Sequence, residues 1–110
     1  MSDERIENAR SALESADHIP AAKKTELLDL LSKLKPAIAK VAKTHQEDAQ
    51  SIACMVEAST HEATRKEKRP ELLKTVLRGL KQSVERFEAS HPDLVAFVTE
   101  YSGFLSEMGL

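Results

Sequence analysis

The side chains that could carry out chemistry in this sequence are scattered, and few of them have suitable neighbours. His45 and Asp48 lie about one helical turn apart and could ligate a metal ion. His61 and Glu62 match part of a zinc-binding His-Glu-x-x-His motif, but Arg65 stands where the second histidine would be. Because a structural zinc site needs about four ligands, we expect no metal and no other cofactor.

The cysteine and the histidine nearest the C-terminus lack the partners that would make them reactive. Cys54 lies in the middle of a predicted helix, whereas a reactive thiolate needs a helix N-terminus or a cationic neighbour. His91 has no serine or carboxylate pairing that would complete a catalytic triad. The sequence also lacks a glycine-rich phosphate-binding loop. We therefore expect that this protein is not an enzyme.

A basic segment from Arg65 to Lys81 is the clearest candidate binding site. Its first four bases are candidate phosphate contacts, which would give salt-sensitive nucleic-acid binding: Arg65, Lys66, Lys68 and Arg69. Glu67 and Glu71 interrupt the segment, no aromatic residue accompanies it, and the net charge of the chain is −2. The pattern therefore favours a solvated helix end, which complements the helix dipole, over a nucleic-acid site.

Composition indicates one soluble helical domain over residues 1–110. The chain is 41% hydrophobic and 31% charged and has only three glycines and four prolines, which favours long helices over a turn-rich β fold. It opens with an acidic, polar segment without the apolar core of a signal peptide. No apolar run is long enough to span a bilayer. We expect a cytoplasmic protein that does not enter membranes.

Apolar residues at spacings of three and four predict the helices that position these side chains. The longest stripe keeps its phase from Leu27 to Val56 across Pro36. This continuity favours one long second helix, over about residues 21–66, kinked at Pro36. The alternative is two helices that separate at Lys35-Pro36, since the residue before a proline avoids the helical region.

Three further helices follow from the same spacing. Residues 4–16 carry a weak apolar stripe, and residues 70–89 carry a strong one. The sequence Ser90-His91-Pro92-Asp93 is a helix start signal. The last helix therefore begins there and ends at Gly109, which we expect to adopt the left-handed cap conformation.

Charge alternates along the chain in four blocks. Bases predominate in residues 23–43 and 65–86, whereas residues 44–64 and 87–110 carry acidic side chains and neither lysine nor arginine. In an antiparallel helical hairpin, blocks of opposite sign would lie opposite each other and set the register. The pattern therefore favours a defined antiparallel packing.

These elements predict an all-α fold, an elongated antiparallel helical hairpin or bundle of three to four helices. A second helix of about 45 residues would be about 67 Å long, and a hairpin of that length leaves apolar surface that self-association would cover. We expect a non-enzymatic homodimer that acts as an interaction or scaffold module. The candidate interface lies on the last helix, at Leu94, Val98, Tyr101 and Leu105. The alternative is a nucleic-acid-associated protein that uses Arg65 to Lys81.

The C-terminal quarter of the chain carries two motifs, Phe87-Glu88-x-x-His91-Pro92-x-Leu94 and Leu105-x-x-Met108-Gly109-Leu110. They resemble the C-terminal signature of a family of short bacterial helical proteins catalogued as a domain of unknown function. The resemblance is tight over residues 84–110 and loose over residues 3–34. It implies a fold of amphipathic helices joined by proline-containing turns, and it implies no activity.

Overall fold

Five α-helices make up the part of the chain that the structure describes. The computed structural model describes residues 2–109. Met1 and Leu110 lie outside the described residues, and Leu110 is the last residue of the second C-terminal motif. The helices are α1 (Ser2–Ser15), α2 (Ala21–Ala42), α3 (Gln46–Thr64), α4 (Pro70–Val84) and α5 (Pro92–Gly109), with a 3₁₀ turn at Glu85–Phe87. None of them combines the length and the apolar composition that crossing a bilayer requires. The all-α prediction is confirmed, but the predicted count of three to four helices is wrong.

The long second helix of the prediction is two helices, and the break lies after Pro36 rather than at it. α2 continues past Pro36, and Leu34 and Ile38 on either side of the proline are buried in the core. Burial of these two side chains offsets the cost of the proline. The chain leaves the helical conformation at His45, with φ −138° and ψ 69°, directly before α3. The single helix over residues 21–66 and the alternative break before Pro36 are therefore both wrong.

Local sequence explains why the helix breaks where it does. The Thr44 hydroxyl lies 2.8 Å from His45 Nδ1, so these two polar side chains pair with each other at the turn. Lys40 lies in the last turn of α2, and Glu47 and Asp48 lie in the first turn of α3. Bases at a helix C-terminus and acids at a helix N-terminus are both favourable. The change from basic to acidic charge at this point therefore marks a helix boundary.

α3 is the central helix and contacts each of the other four. α1, α2, α5 and α4 lie around it in that order, each in contact with the next. The molecule measures 38 × 24 × 21 Å, so the predicted elongated hairpin is wrong, because short connections fold the helices back around α3. Several buried residues of α3 are small, which allows its neighbours to approach closely: Ala49, Ala53, Ser59, Thr60 and Ala63.

Two glycines allow helices to pack closely. A Cβ atom on Gly79 of α4 would lie 2.9 Å from the sulfur of Met55 on α3. Gly109 does not adopt the predicted left-handed conformation. It belongs to α5, and no residue in the range 2–109 has positive φ. A side chain on Gly109 would collide with Leu73 of α4, so this glycine serves packing and is not a left-handed cap.

Candidate interaction groove

The four residues predicted as an interface are buried within the single chain. Leu94, Tyr101 and Leu105 are at most 1% exposed and belong to the core. Val98 is also buried, but it lines the floor of a surface groove between α4 and α5. α5 packs against α2, α3 and α4, and these contacts cover its main apolar stripe without a second chain.

A buried hydrogen bond anchors α5 to α3. Tyr101 Oη lies 2.5 Å from Thr60 Oγ1, and the Thr60 hydroxyl donates to the backbone carbonyl of Val56 at 2.7 Å. Since a threonine hydroxyl has one proton, Tyr101 is the donor to Thr60. Burial raises the pKa of Tyr101 well above its usual range.

Because the Tyr101 phenol is buried, we expect the protein to lose stability at alkaline pH. Tyrosine in an unfolded chain ionises near pH ~10, whereas folded Tyr101 stays neutral at that pH. The phenol therefore stabilises the fold fully below that pH, and the stabilisation is lost as the pH rises towards the folded pKa. The free energy of unfolding should fall by up to about 1.4 kcal/mol per pH unit. Tyr101 is the single tyrosine and the chain has no tryptophan, so tyrosinate absorbance should rise together with the loss of helical circular dichroism.

Tyr101→Phe provides the control. Lysine side chains also ionise near pH ~10, and this variant keeps every lysine while it removes the phenol. The free energy of unfolding of this variant should depend less steeply on pH above pH ~10. Tyrosinate absorbance that develops in the native protein while the helical dichroism stays intact would contradict a buried, hydrogen-bonded Tyr101.

The predicted phosphate contacts lie in the connection between α3 and α4, and two of them are engaged within the chain. Arg65 Nη1 lies 3.1 Å from Glu62 Oε1, and Lys68 Nζ donates to the backbone carbonyl of Ala63 at 2.5 Å. Burial lowers the pKa of the Lys68 amine. The other two side chains are exposed: Lys66 and Arg69. These contacts support the interpretation of a charged helix end, and phosphate binding stays a prediction.

The residues that the sequence offered for metal binding or acid–base chemistry lie in packing contacts. The rings of His45 and His91 flank Phe87 edge to face, with centroids 5.3 and 5.7 Å from its own. Asp48 pairs with Arg86 at 3.4 Å. Across residues 2–109, no three histidine, cysteine or acidic side chains group closely enough to hold a metal ion. The two histidines therefore position Phe87 at the corner before α5.

Cys54 and His61 line a depression between α1 and α3. The cation in this depression is Arg5, which donates to Glu57 Oε1 at 2.8 Å. Asn8 donates to the other oxygen of Glu57 at 2.7 Å. These contacts join α1 to α3, which gives the polar side chains here a structural role.

The groove between α4 and α5 is a surface that sequence analysis did not identify. Its volume is about 820 Å³. Its apolar lining comes from both helices: Leu77, Val84, Val95 and Val98. α5 also contributes small residues: Thr99, Ser102, Gly103 and Ser106. A Cβ atom on Gly103 would meet nothing within 4 Å. The groove is therefore open on the α5 side and has the apolar lining that a docked helix requires.

Four charged side chains lie along the α4 side of this groove. Arg78 and Lys81 belong to α4, and Glu85 and Glu88 belong to the turn that follows it. In the part of the chain that the structure describes, none of the four is in an ion pair. The sequence signal was the spacing of three, four and three residues in R-x-x-K-x-x-x-E-x-x-E, which would place all four on one face of a continuous helix. Although α4 ends at Val84, all four residues line the groove.

Comparison with known proteins gives one family. The sequence profile of a family described as a domain of unknown function, DUF4404, matches residues 27–110. No curated protein and no solved structure matches the chain. The matched range contains most of α2 and all of α3, α4 and α5, and it therefore includes the whole groove.

Proposed function

The chain belongs to the DUF4404 family, whose shared domain has no known function, and we propose that it is a non-enzymatic interaction module that binds a helix in the α4–α5 groove. The observation that carries this proposal is the open apolar groove, on a chain whose own helices cover its main apolar stripes. An apolar groove of this kind recognises the apolar face of an amphipathic helix. In this proposal the protein acts in the cytoplasm by binding and not by catalysis.

The lining of the groove supports a helical ligand. Leu77 and Val95 are only partly buried by their own chain, so a docked helix would remove further apolar surface from water, which is worth about 25 cal/mol per Å². The small side chains of α5 around Gly103 would let the backbone of that helix come close. The charges along α4 would orient it, since charged groups at the edge of an interface select direction and partner.

The contacts of the histidines support the non-enzymatic part of the proposal. His45 and His91 both pack against Phe87, and the nearest polar contact of His45 Nδ1 is the Thr44 hydroxyl at 2.8 Å. Neither ring lies in the groove. A binding role for the groove therefore needs no contribution from the residues that could have carried acid–base chemistry.

Site-specific photo-cross-linking tests the groove directly. We expect p-benzoylphenylalanine at position 103 to give one discrete cross-linked adduct in cells that produce the protein, because Gly103 faces the open part of the groove. The adduct is characterised by its mass and by the peptide to which the cross-link maps. A single mapped peptide would support one defined ligand.

The matched control places the same cross-linker at Ala39. This residue is exposed on α2, and α2 does not contact α4. The control should give no discrete adduct. If position 103 gives no adduct, or if both positions give the same one, the groove is not the binding surface and the proposal fails.

A further inference from the structure

We propose that the groove binds a second copy of this chain through its residues 77–88, the end of α4 and the turn after it, docked antiparallel to the same residues of the first copy about a two-fold axis. This inference rests on the proposed function, because it names the partner of the same groove. A two-fold interface joins the same patch on both subunits, so each contact occurs twice. The surface must therefore be complementary to itself, and the charges along α4 meet this condition.

The charged positions are symmetric about residue 83. In an antiparallel pair of the segments 77–88, each made of the end of α4 and the turn after it, Arg78 faces Glu88 of the second copy, and Lys81 faces Glu85 of the second copy. The two-fold axis repeats both contacts, so four pairs of opposite charge form along the interface. A parallel arrangement would instead place like charges together, which is destabilising. The charge pattern thus selects one partner and one orientation.

Intrachain interactions do not account for this arrangement of charge. Glu85 is the C-cap residue of α4 and Glu88 follows it, and the helix dipole disfavours acidic side chains at a helix C-terminus. The one pair at helical spacing, Lys81 and Glu85, also has the less favourable orientation, with the base first. A second copy supplies the partners that the single chain does not.

The shape of the groove suits the same occupant. The α-helical part of this segment, residues 77–84, is about 12 Å long at 1.5 Å per residue, which fits within the 38 Å length of the molecule. Close packing brings helix axes to about 8–10 Å, and the open space beside Gly103 permits this approach. The dimer would contain α4 and α5 of each chain as an antiparallel four-helix arrangement.

Charge reversal tests the partner and its orientation together. The two variants are Arg78→Glu with Lys81→Glu, and Glu85→Lys with Glu88→Lys. In sedimentation velocity at low salt, the native protein should form a dimer of twice its 12.2 kDa mass. Each variant alone should dimerise at least about tenfold more weakly, because all four pairs become repulsive. An equimolar mixture should restore dimers, since every pair across the heterodimer is then of opposite charge.

A control variant separates local contacts from total charge. Lys66→Glu with Arg69→Glu changes the net charge as much as the first variant does, but both side chains lie outside the groove, in the connection between α3 and α4. We expect it to dimerise like the native protein. Restoration in the mixture also shows that the charge-reversed chains are folded.

Three outcomes would overturn the inference: a native protein that is monomeric at every concentration, a dimer that charge reversal leaves unchanged, or a mixture that restores nothing. These are distinguishable from failure of the proposed function. A monomer that still gives a mapped adduct from position 103 with another protein would keep the groove as a binding site and reject the second copy. A monomer with no such adduct would reject both.

Discussion

Replacing Leu105 with alanine should lower the free energy of unfolding by about 2–5 kcal/mol. Leu105 is 0% exposed and lies on the face of α5 that packs into the core. The substitution removes buried methyl groups and leaves a cavity that the central packing around α3 cannot easily close. Urea denaturation followed by circular dichroism gives the free energy, and measurement at two protein concentrations separates folding from association.

The matched control for Leu105 is Leu72→Ala. Leu72 lies on α4 and is 39% exposed, so truncation should cost less than about 1 kcal/mol. The comparison also tests the interface predicted from sequence. If Leu105→Ala left the free energy of unfolding unchanged and only weakened self-association, Leu105 would belong to an interface and not to the core.

Replacing Pro36 with alanine should raise the free energy of unfolding by about 2 kcal/mol. Pro36 is exposed and lies inside α2. A proline there removes the hydrogen bond to the carbonyl four residues earlier and costs about 3 kcal/mol relative to alanine. The stabilisation gained by the substitution is smaller by about 0.4–1 kcal/mol, because alanine gives the unfolded chain more conformational freedom than proline does. Urea denaturation measures the net change.

Pro70→Ala is the matched control and should act in the opposite direction. Pro70 occupies the first position of α4, where a proline fits the backbone and has no hydrogen bond to lose. Its replacement should lower the free energy of unfolding by about 0.4–1 kcal/mol. If Pro36→Ala were also destabilising, the packing of Leu34 and Ile38 would require the local geometry that the proline imposes on α2.

Helical periodicity predicted which faces of the helices are buried. The stripe expected for the first helix is buried, although two of its four members are alanine: Ile6, Ala9 and Leu13 in α1, and Ala16 directly after it. Pro70 and Pro92 are the first residues of α4 and α5, as their fixed φ and missing N–H predict. These features are local, because burial spacing and proline geometry act within one or two turns of the chain.

The break at His45 was not predicted, because the apolar stripe keeps the same spacing on both sides of it. Two antiparallel helices can each present such a stripe to one core, so continuity of phase does not show continuity of the helix. The change in charge after Lys43 was the available signal, since it places bases at one helix end and acids at the next helix start. Pairing between helices, the meaning that the sequence pattern suggests for these blocks, does not by itself locate this boundary.

Residue spacing does not predict which surfaces cover the apolar stripes. A stripe such as that of α5 shows that a face is removed from water, but its own chain or a second chain can equally cover it. Here α2, α3 and α4 bury Leu94, Tyr101 and Leu105. The same packing leaves the groove between α4 and α5 open. Periodicity is set by neighbours along the chain, whereas the groove and its partners depend on contacts between residues distant in sequence.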